Sequence, residues 1–141
     1  MLTQSPPKLI GTVAKESGIP IKTIRYYEEL GLLKAVGRTE GGYRLFGDEV
    51  GDRLHFIKRA QSLGLSLAEI REFLMIHDQG ELPCDQVKAC LKDKLEDIDQ
   101  QIKDLQLLKH QLQQLLSKKS NLLNGMDATI CPIIEQDSAI N

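Results

Sequence analysis

Three cysteines, Cys84, Cys90 and Cys131, are the residues of this 141-residue chain with the most distinctive chemistry. Their number is odd, and they lie far apart without the spacing of a disulfide framework. The chain has no apolar run near the roughly 20 residues that cross a membrane, and no secretion signal begins it, so a cytoplasmic location is predicted. Thiols stay reduced there, which favours thiolate chemistry over a structural disulfide.

A second group of residues, suited to a charged ligand, lies between positions 22 and 27. Lys22, Thr23, Arg25, Tyr26 and Tyr27 cluster in the N-terminal half of a predicted helix. Residues 1–65 carry a net charge of +3 and residues 66–141 one of −5, so the first half is the candidate to bind a polyanion. Such a helix face suits the major groove of DNA, where it meets phosphates and base edges. The alternative is a solvated basic face.

A short hairpin is predicted directly after this helix. Gly41-Gly42 is a turn signal, and residues that can extend flank it on both sides. Arg38 precedes the turn, and Tyr43 and Arg44 follow it. Beside a recognition helix, these three side chains are expected to hold the phosphate backbone and set the register of the protein on DNA.

Four short helices position these side chains in a predicted DNA-binding unit, residues 8–80. The first helix begins at Leu9, and the second ends at Gly31, so the pair forms a helix-turn-helix. Ser66 and Glu69 form a capping-box pattern that opens the fourth helix. In the third helix, residues 48–63, the expected inward residues are Val50, Leu54, Ile57 and Leu63, and the expected outward cations are Arg53, Lys58 and Arg59.

A long heptad helix is predicted over residues 84–119. Its apolar seam consists of Leu91, Leu95, Ile98, Ile102, Leu105, Leu112 and Leu116, and Lys109 fills the remaining step. Such a helix is about 50 Å long, so a second copy of itself is the simplest partner for its seam. The alternative is a lone surface helix on its own domain. Residues 1–7 are predicted to be a disordered lead-in.

The order of these elements resembles the MerR family of transcriptional regulators. The strings that carry the likeness are Thr23-Ile24-Arg25-Tyr26-Tyr27-Glu28-Glu29-Leu30-Gly31-Leu32-Leu33, Gly42-Tyr43-Arg44, Phe56-Ile57-Lys58-Arg59-Ala60 and Leu63-Gly64-Leu65-Ser66-Leu67. The expected fold is all-α with a small β-wing: a winged helix-turn-helix followed by an antiparallel coiled-coil dimerisation helix.

The same resemblance implies how such a protein acts. A homodimer would bind a palindromic operator in double-stranded promoter DNA and, with its effector, untwist the DNA for RNA polymerase. The implied DNA contacts are Lys22, Thr23, Arg25, Tyr26, Arg38, Tyr43, Arg44 and Lys58.

For the effector, the resemblance implies a divalent thiophilic metal ion, namely mercury, zinc, cadmium or lead. The loop and tail of residues 120–141, predicted to bind the effector, are too short to enclose a drug-sized ligand. Metal-sensing members have one cysteine at the start of the long helix and two that bracket the following loop. Cys84 matches the first and Cys131 the last, but residues 117–119 contain no cysteine. Candidates to complete the site are Asp127, His110, His77, Cys90 or water.

Cys84 and Cys131 of one chain are not expected to meet. The helix carries the backbone about 50 Å away from Cys84, and the following 12 residues can return at most about 40 Å. In an antiparallel dimer, Cys84 would instead lie beside Cys131 of the partner subunit, which gives two symmetric sites.

Other functions stay open at this point. A thiol-based redox or electrophile sensor of the same fold is the nearest alternative, because the missing cysteine suits it. A constitutive architectural protein, joined only by its long helix, is another. The sequence shows no nucleophile with a base, no phosphate-binding loop and no open metal site, so an enzyme is not expected.

Overall fold

The computed structural model describes residues 6–117 and 130–136. In chain order the elements are β1 (Lys8–Leu9), α1 (Ile10–Ser17), α2 (Ile21–Glu29), β2 (Gly37–Arg38), β3 (Arg44–Phe46), α3 (Glu49–Ser62), α4 (Leu67–Asp78), α5 (Cys84–Ser117) and α6 (Pro132–Glu135). The chain divides into two units, Met1–Val87 and Lys88–Asn141. The predicted class, all-α with a small β-wing and a long helix, is confirmed. Of the helices in the two described ranges, none combines the length and the apolar character that a bilayer span requires.

The wing is a three-stranded antiparallel sheet in the order β1-β3-β2. The predicted hairpin pairs Arg38 of β2 with Arg44 of β3. The prediction that Leu9 begins the first helix was wrong, because Leu9 lies in β1 and pairs with Leu45. Pairing with β1 satisfies the second edge of β3, whose backbone groups a two-stranded hairpin leaves open.

The tip of the wing is a three-residue hairpin loop. The amide of Thr39 donates to the carbonyl of Tyr43 at 2.8 Å, and the amide of Gly42 donates to the carbonyl of Thr39 at 2.9 Å. Gly42 has a φ of 85°, in the left-handed region. A side chain strains the backbone there, which explains why glycine follows the turn.

The hydrophobic core of the first unit lies between α1, α2, α3, α4 and β3. The fully buried side chains at its centre are Ile24, Leu32, Leu33, Phe46, Leu54, Ile57 and Ile70. The predicted capping box of α4 is present: the amide of Glu69 donates to Ser66 Oγ at 3.1 Å, and the amide of Ser66 donates to Glu69 Oε1 at 2.8 Å. Leu63 was wrongly predicted to face inward, since 49% of its surface is exposed after the last turn of α3.

The long helix α5 begins at Cys84 as predicted, and Ser117 is its last described residue. None of its side chains is buried. The predicted seam is largely open to solvent, and Leu95, Ile102 and Leu105 are 62%, 48% and 64% exposed. The single chain therefore leaves the apolar stripe of α5 uncovered.

The predicted domain boundaries 8–80, 84–119 and 120–141 stay predictions. Residues 1–5 of the predicted lead-in lie outside the described residues.

Candidate nucleic-acid interface and thiol site

Helix α2 buries one face and presents the other to solvent. Ile24 and Tyr27, three residues apart, are buried. This spacing places the predicted DNA contacts on the opposite side, where Lys22, Arg25 and Tyr26 are exposed. Thr23 is half-buried and lines the same surface depression as these three residues. The four side chains predicted to enter the major groove therefore share one accessible face.

Tyr27 does not belong to that outward face, contrary to the prediction. Its side chain is 3% exposed, and its hydroxyl donates a hydrogen bond to Oε1 of Gln61 on α3 at 2.8 Å. Burial raises the pKa of Tyr27 above its ordinary value, because the phenolate would lose its hydration. Tyr27 therefore fixes α2 on α3, and of the two tyrosines only Tyr26 is exposed.

The wing presents two exposed side chains and holds a third against α2. Arg38 and Tyr43 are exposed. Arg44 forms an ion pair with Glu28, in which Nε lies 2.5 Å from Oε1 without the alignment of a hydrogen bond. Glu28 is the more buried partner, with 19% of its side chain exposed. Arg44 thus connects the wing to α2.

Arg53 on α3 also lies differently from its predicted outward position. Only 11% of its side chain is exposed. Nε and Nη2 donate to the carbonyl of Leu32 at 3.0 and 2.8 Å, and Nη1 donates to Oδ1 of Asp78 at 2.5 Å. One guanidinium therefore joins the segment after α2 to the C-terminal end of α4. Lys58 and Arg59, on the same helix, are exposed as predicted.

The predicted thiol ligands lie at the starts of two helices. Cys84 is the first residue of α5 and is exposed, and Cys131 precedes α6 and is half-buried. Both carry free thiols. Cys90 is half-buried within α5, and His110 is exposed on the same helix. Asp127 lies outside the described residues.

A different group of potential metal ligands lies within the first unit. Oxygen or nitrogen atoms of Glu49, His77 and Asp78 come within 4.8 Å of one another. His77 Nε2 is 3.1 Å from Glu49 Oε1, while Asp78 pairs with the cation of Arg53. A nearby guanidinium opposes a metal cation, so this cluster reads as two contacts that tie α4 to α3.

The segment that carries Cys131 is held by its own side chains. The Oε2 atom of Glu135 accepts hydrogen bonds from the amides of Ile130 at 2.9 Å and Cys131 at 2.7 Å. The side-chain amide of Gln136 donates to the carbonyl of Leu115 in α5 at 3.3 Å. Residues 130–136 are therefore attached near the C-terminal end of α5.

A helix-turn-helix with an exposed basic face, flanked in the chain by the strands of a three-stranded wing, defines a winged-helix DNA-binding protein of the transcriptional-regulator class. Residues 9–75 match the family described as "MerR HTH family regulatory protein", and residues 52–115 match the one described as "MerR, DNA binding". The chain belongs to the MerR family of transcriptional regulators.

Relatives of this chain include regulators named for metals. The chain is 42% identical to the mercuric resistance operon regulatory protein of Bacillus cereus over 126 residues, which cover 89% of this chain and 93% of that protein. It is 38% identical to the regulator ZntR of Escherichia coli (strain K12) over 107 residues, 75% of this chain and 76% of that one. The crystal structure of the regulator PbrR691 from Ralstonia metallidurans CH34 in complex with lead(II) superposes with a TM-score of 0.72 at 30% identity. That match covers 90% of this chain and 96% of the other.

The sequence did not reveal the roles of four residues that support the candidate interface or the thiol site. Tyr27, Glu28 and Arg53 work through partners distant in the chain, which no local pattern reveals. Glu135 is different, because a glutamate four residues after Cys131 could have indicated a carboxylate that reaches back to the start of a helical turn.

Proposed function

We propose that this chain is a metal-responsive transcriptional regulator that binds a palindromic operator in promoter DNA as a homodimer. The carrying observation is that α5 has an exposed apolar stripe, with a free thiol at its start and another held near its end. The similarity to regulators named for mercury and for heavy metals supports the nature of the effector. A divalent thiophilic ion would bind Cys84 and Cys131.

The surface of α5 supports the proposed dimer. The seam side chains between Leu95 and Leu116 that are apolar run along the helix at 48% to 78% exposure. An apolar stripe of this length on a soluble chain marks an interaction surface. A second α5 has the same spacing of apolar residues and therefore fits the stripe as an antiparallel coiled coil.

Antiparallel pairing also makes the site possible. The 34 residues of α5 span about 50 Å, with Cys84 at one end and the Cys131 segment attached near Leu115 at the other. In an antiparallel pair, Cys84 of one subunit would meet Cys131 of the partner subunit. Each dimer would then contain two equivalent sites.

The donor set fits a soft ion. Thiolates prefer mercury, cadmium, lead or zinc over hard cations. Mercury accepts two thiolates, whereas zinc takes four ligands and would need further donors such as Asp127 or water. The bound ion would supply a crosslink between the two subunits, and the chain's own residues would hold the thiols and the DNA.

For the DNA, we expect α2 to enter the major groove and the wing to contact phosphates. The expected contacts are the exposed residues Lys22, Arg25, Tyr26, Arg38, Tyr43 and Lys58, together with half-buried Thr23 and Arg44. The Arg44–Glu28 ion pair fixes the angle between the wing and α2, so both elements would meet the duplex as one rigid surface. Effector binding would favour the dimer conformation that untwists the operator for RNA polymerase, at a deformation cost on the order of a few kcal/mol.

Operator binding is tested with Arg25→Ala and Arg38→Ala, using fluorescence anisotropy on the DNA upstream of the gene at several salt concentrations. Arg38→Ala should weaken binding and reduce the slope of affinity against salt by about one unit, the value for one lost phosphate contact. The matched control is Lys103→Ala, which removes an exposed cation from α5. Equal affinity in all four proteins would contradict the proposed interface.

The shared metal site is tested by mixing two variants. Cys84→Ser and Cys131→Ser homodimers should each lose metal-dependent transcription across a panel of mercury, zinc, cadmium and lead, while Cys90→Ser should keep it. In a mixed dimer of the two variants, one site retains both cysteines, so half of the high-affinity metal binding should return. An unrestored mixed dimer would count against a site between subunits, and a response to oxidants in place of metals would favour a redox sensor.

A further inference from the structure

The turn that carries Cys131 is held by one carboxylate. Glu135 Oε2 accepts from the amide of Cys131 at 2.7 Å and from the amide of Ile130 at 2.9 Å. The amide of Glu135 in turn donates to the carbonyl of Cys131 at 3.1 Å. The backbone of Cys131 is therefore fixed on both sides by one residue. Hydrogen bonds to a charged acceptor are about twice as strong as neutral ones, so the carboxylate of Glu135 holds this backbone strongly.

The thiol of Cys131 is not used in these hydrogen bonds, which involve backbone atoms. Cys131 has an extended backbone, with φ −141° and ψ 112°, and its side chain makes no capping hydrogen bond to α6. The Glu135 carboxylate binds the backbone amides of Ile130 and Cys131. The sulfur is therefore not one of the atoms that hold the turn.

Gln136 attaches this turn to the long helix. Its side-chain amide donates to the carbonyl of Leu115 at 3.3 Å and to the carbonyl of Ile133 at 3.0 Å. Leu115 lies in α5, two residues before Ser117, the last described residue of that helix. Gln136 therefore fixes the position of the turn along α5.

We propose that Glu135, assisted by Gln136, is the positioning residue of the effector site, which holds the Cys131 thiol in a ligand-ready place before the effector arrives. This inference rests on the proposed role of Cys131. A preorganised thiol binds a metal ion without first losing the conformational freedom of its segment, and this advantage appears as affinity. Supporting residues around metal ligands typically contribute about 10–100-fold in affinity. Because Glu135 binds the backbone of the ligand residue and not its sulfur, we expect about 10-fold, the low end of that range.

The test compares Glu135→Ala, Glu135→Gln and the control Glu72→Ala, which removes an exposed carboxylate from α4, all as full-length dimers. Cadmium(II) is the probe, and its affinity is measured by competition with a chromophoric chelator. In the metal-free protein, iodoacetamide alkylation of Cys131 is followed by mass spectrometry, with Cys84 as an internal reference. Glu135→Ala should weaken cadmium binding about 10-fold and raise the alkylation of Cys131 relative to Cys84. Glu135→Gln keeps an acceptor oxygen, so both its loss of cadmium affinity and its rise in Cys131 alkylation should be smaller than those of Glu135→Ala.

Two outcomes separate this inference from the proposed function. If Glu135→Ala behaves like Glu72→Ala in both cadmium affinity and alkylation ratio, the positioning role is overturned. If Cys131→Ser leaves cadmium affinity unchanged, the proposed metal site itself fails. The alkylation ratio in the Glu135 variants then decides alone whether Glu135 positions the thiol.

Discussion

Replacing Arg53 by alanine should be among the most destabilising single changes to a charged residue in this protein. The Arg53 guanidinium is nearly buried, donates twice to the carbonyl of Leu32 and pairs with Asp78. Arg53→Ala leaves the Leu32 carbonyl without these donors inside the structure, since Leu32 itself is fully buried. The variant thus removes the contact that joins the end of the helix-turn-helix to α3 and α4.

The size of the effect follows from the two kinds of contact. An unsatisfied buried acceptor costs about 1–3 kcal/mol. The pair with Asp78 contributes at most about 1 kcal/mol, because 37% of the Asp78 side chain is exposed and water screens the charges. We expect a loss of about 2–3 kcal/mol in the free energy of unfolding. For a domain of this size, that loss lowers Tm by roughly 10–20 °C.

Urea denaturation at a fixed protein concentration measures this loss, since the stability of the proposed dimer would depend on concentration. The control is Arg59→Ala, which removes an exposed cation from the same helix. Asp78→Asn weakens only the ion pair and should cost less than Arg53→Ala. Arg53→Lys keeps the charge but lacks the planar set of donors. Its loss of stability should therefore lie between those of Asp78→Asn and Arg53→Ala. If Arg53→Ala unfolds at the same urea concentration as Arg59→Ala, the reasoning from the Leu32 carbonyl is refuted.

Three further variants test other contacts. Since burial raises the pKa of Tyr27, the folded protein keeps the phenol proton where the unfolded chain loses it. Stability should therefore fall as the pH rises above about 10, and urea titrations of Tyr27→Phe should lack this part of the decline. Gly42→Ala places a side chain at φ 85° and should lower the free energy of unfolding by about 1–2 kcal/mol. It should also weaken operator binding in anisotropy measurements. The control Gly37→Ala, at a position without a positive φ, should have neither effect. Leu105→Asp should dissociate the dimer in analytical ultracentrifugation, whereas Leu107→Asp, off the predicted seam, should leave it intact; dissociation of both would argue against the heptad register.

Local patterns determined the elements of this protein. The capping box at Ser66, the glycine pair of the wing and the three-four repeat of α5 each depend on neighbours within a few residues. Such patterns place a helix start, a turn or an apolar stripe without knowledge of the rest of the fold.

Tertiary structure decided which polar side chains hold the fold together and which ones remain available. Arg53 and Lys58 both look like surface cations in the sequence, yet Arg53 alone meets a carbonyl 21 residues earlier and a carboxylate 25 residues later. Tyr26 and Tyr27 are neighbours, but only Tyr27 faces Gln61. The partner of Leu9 in the wing is likewise distant in the chain. These roles depend on contacts between remote segments, and local periodicity carries no information about such contacts.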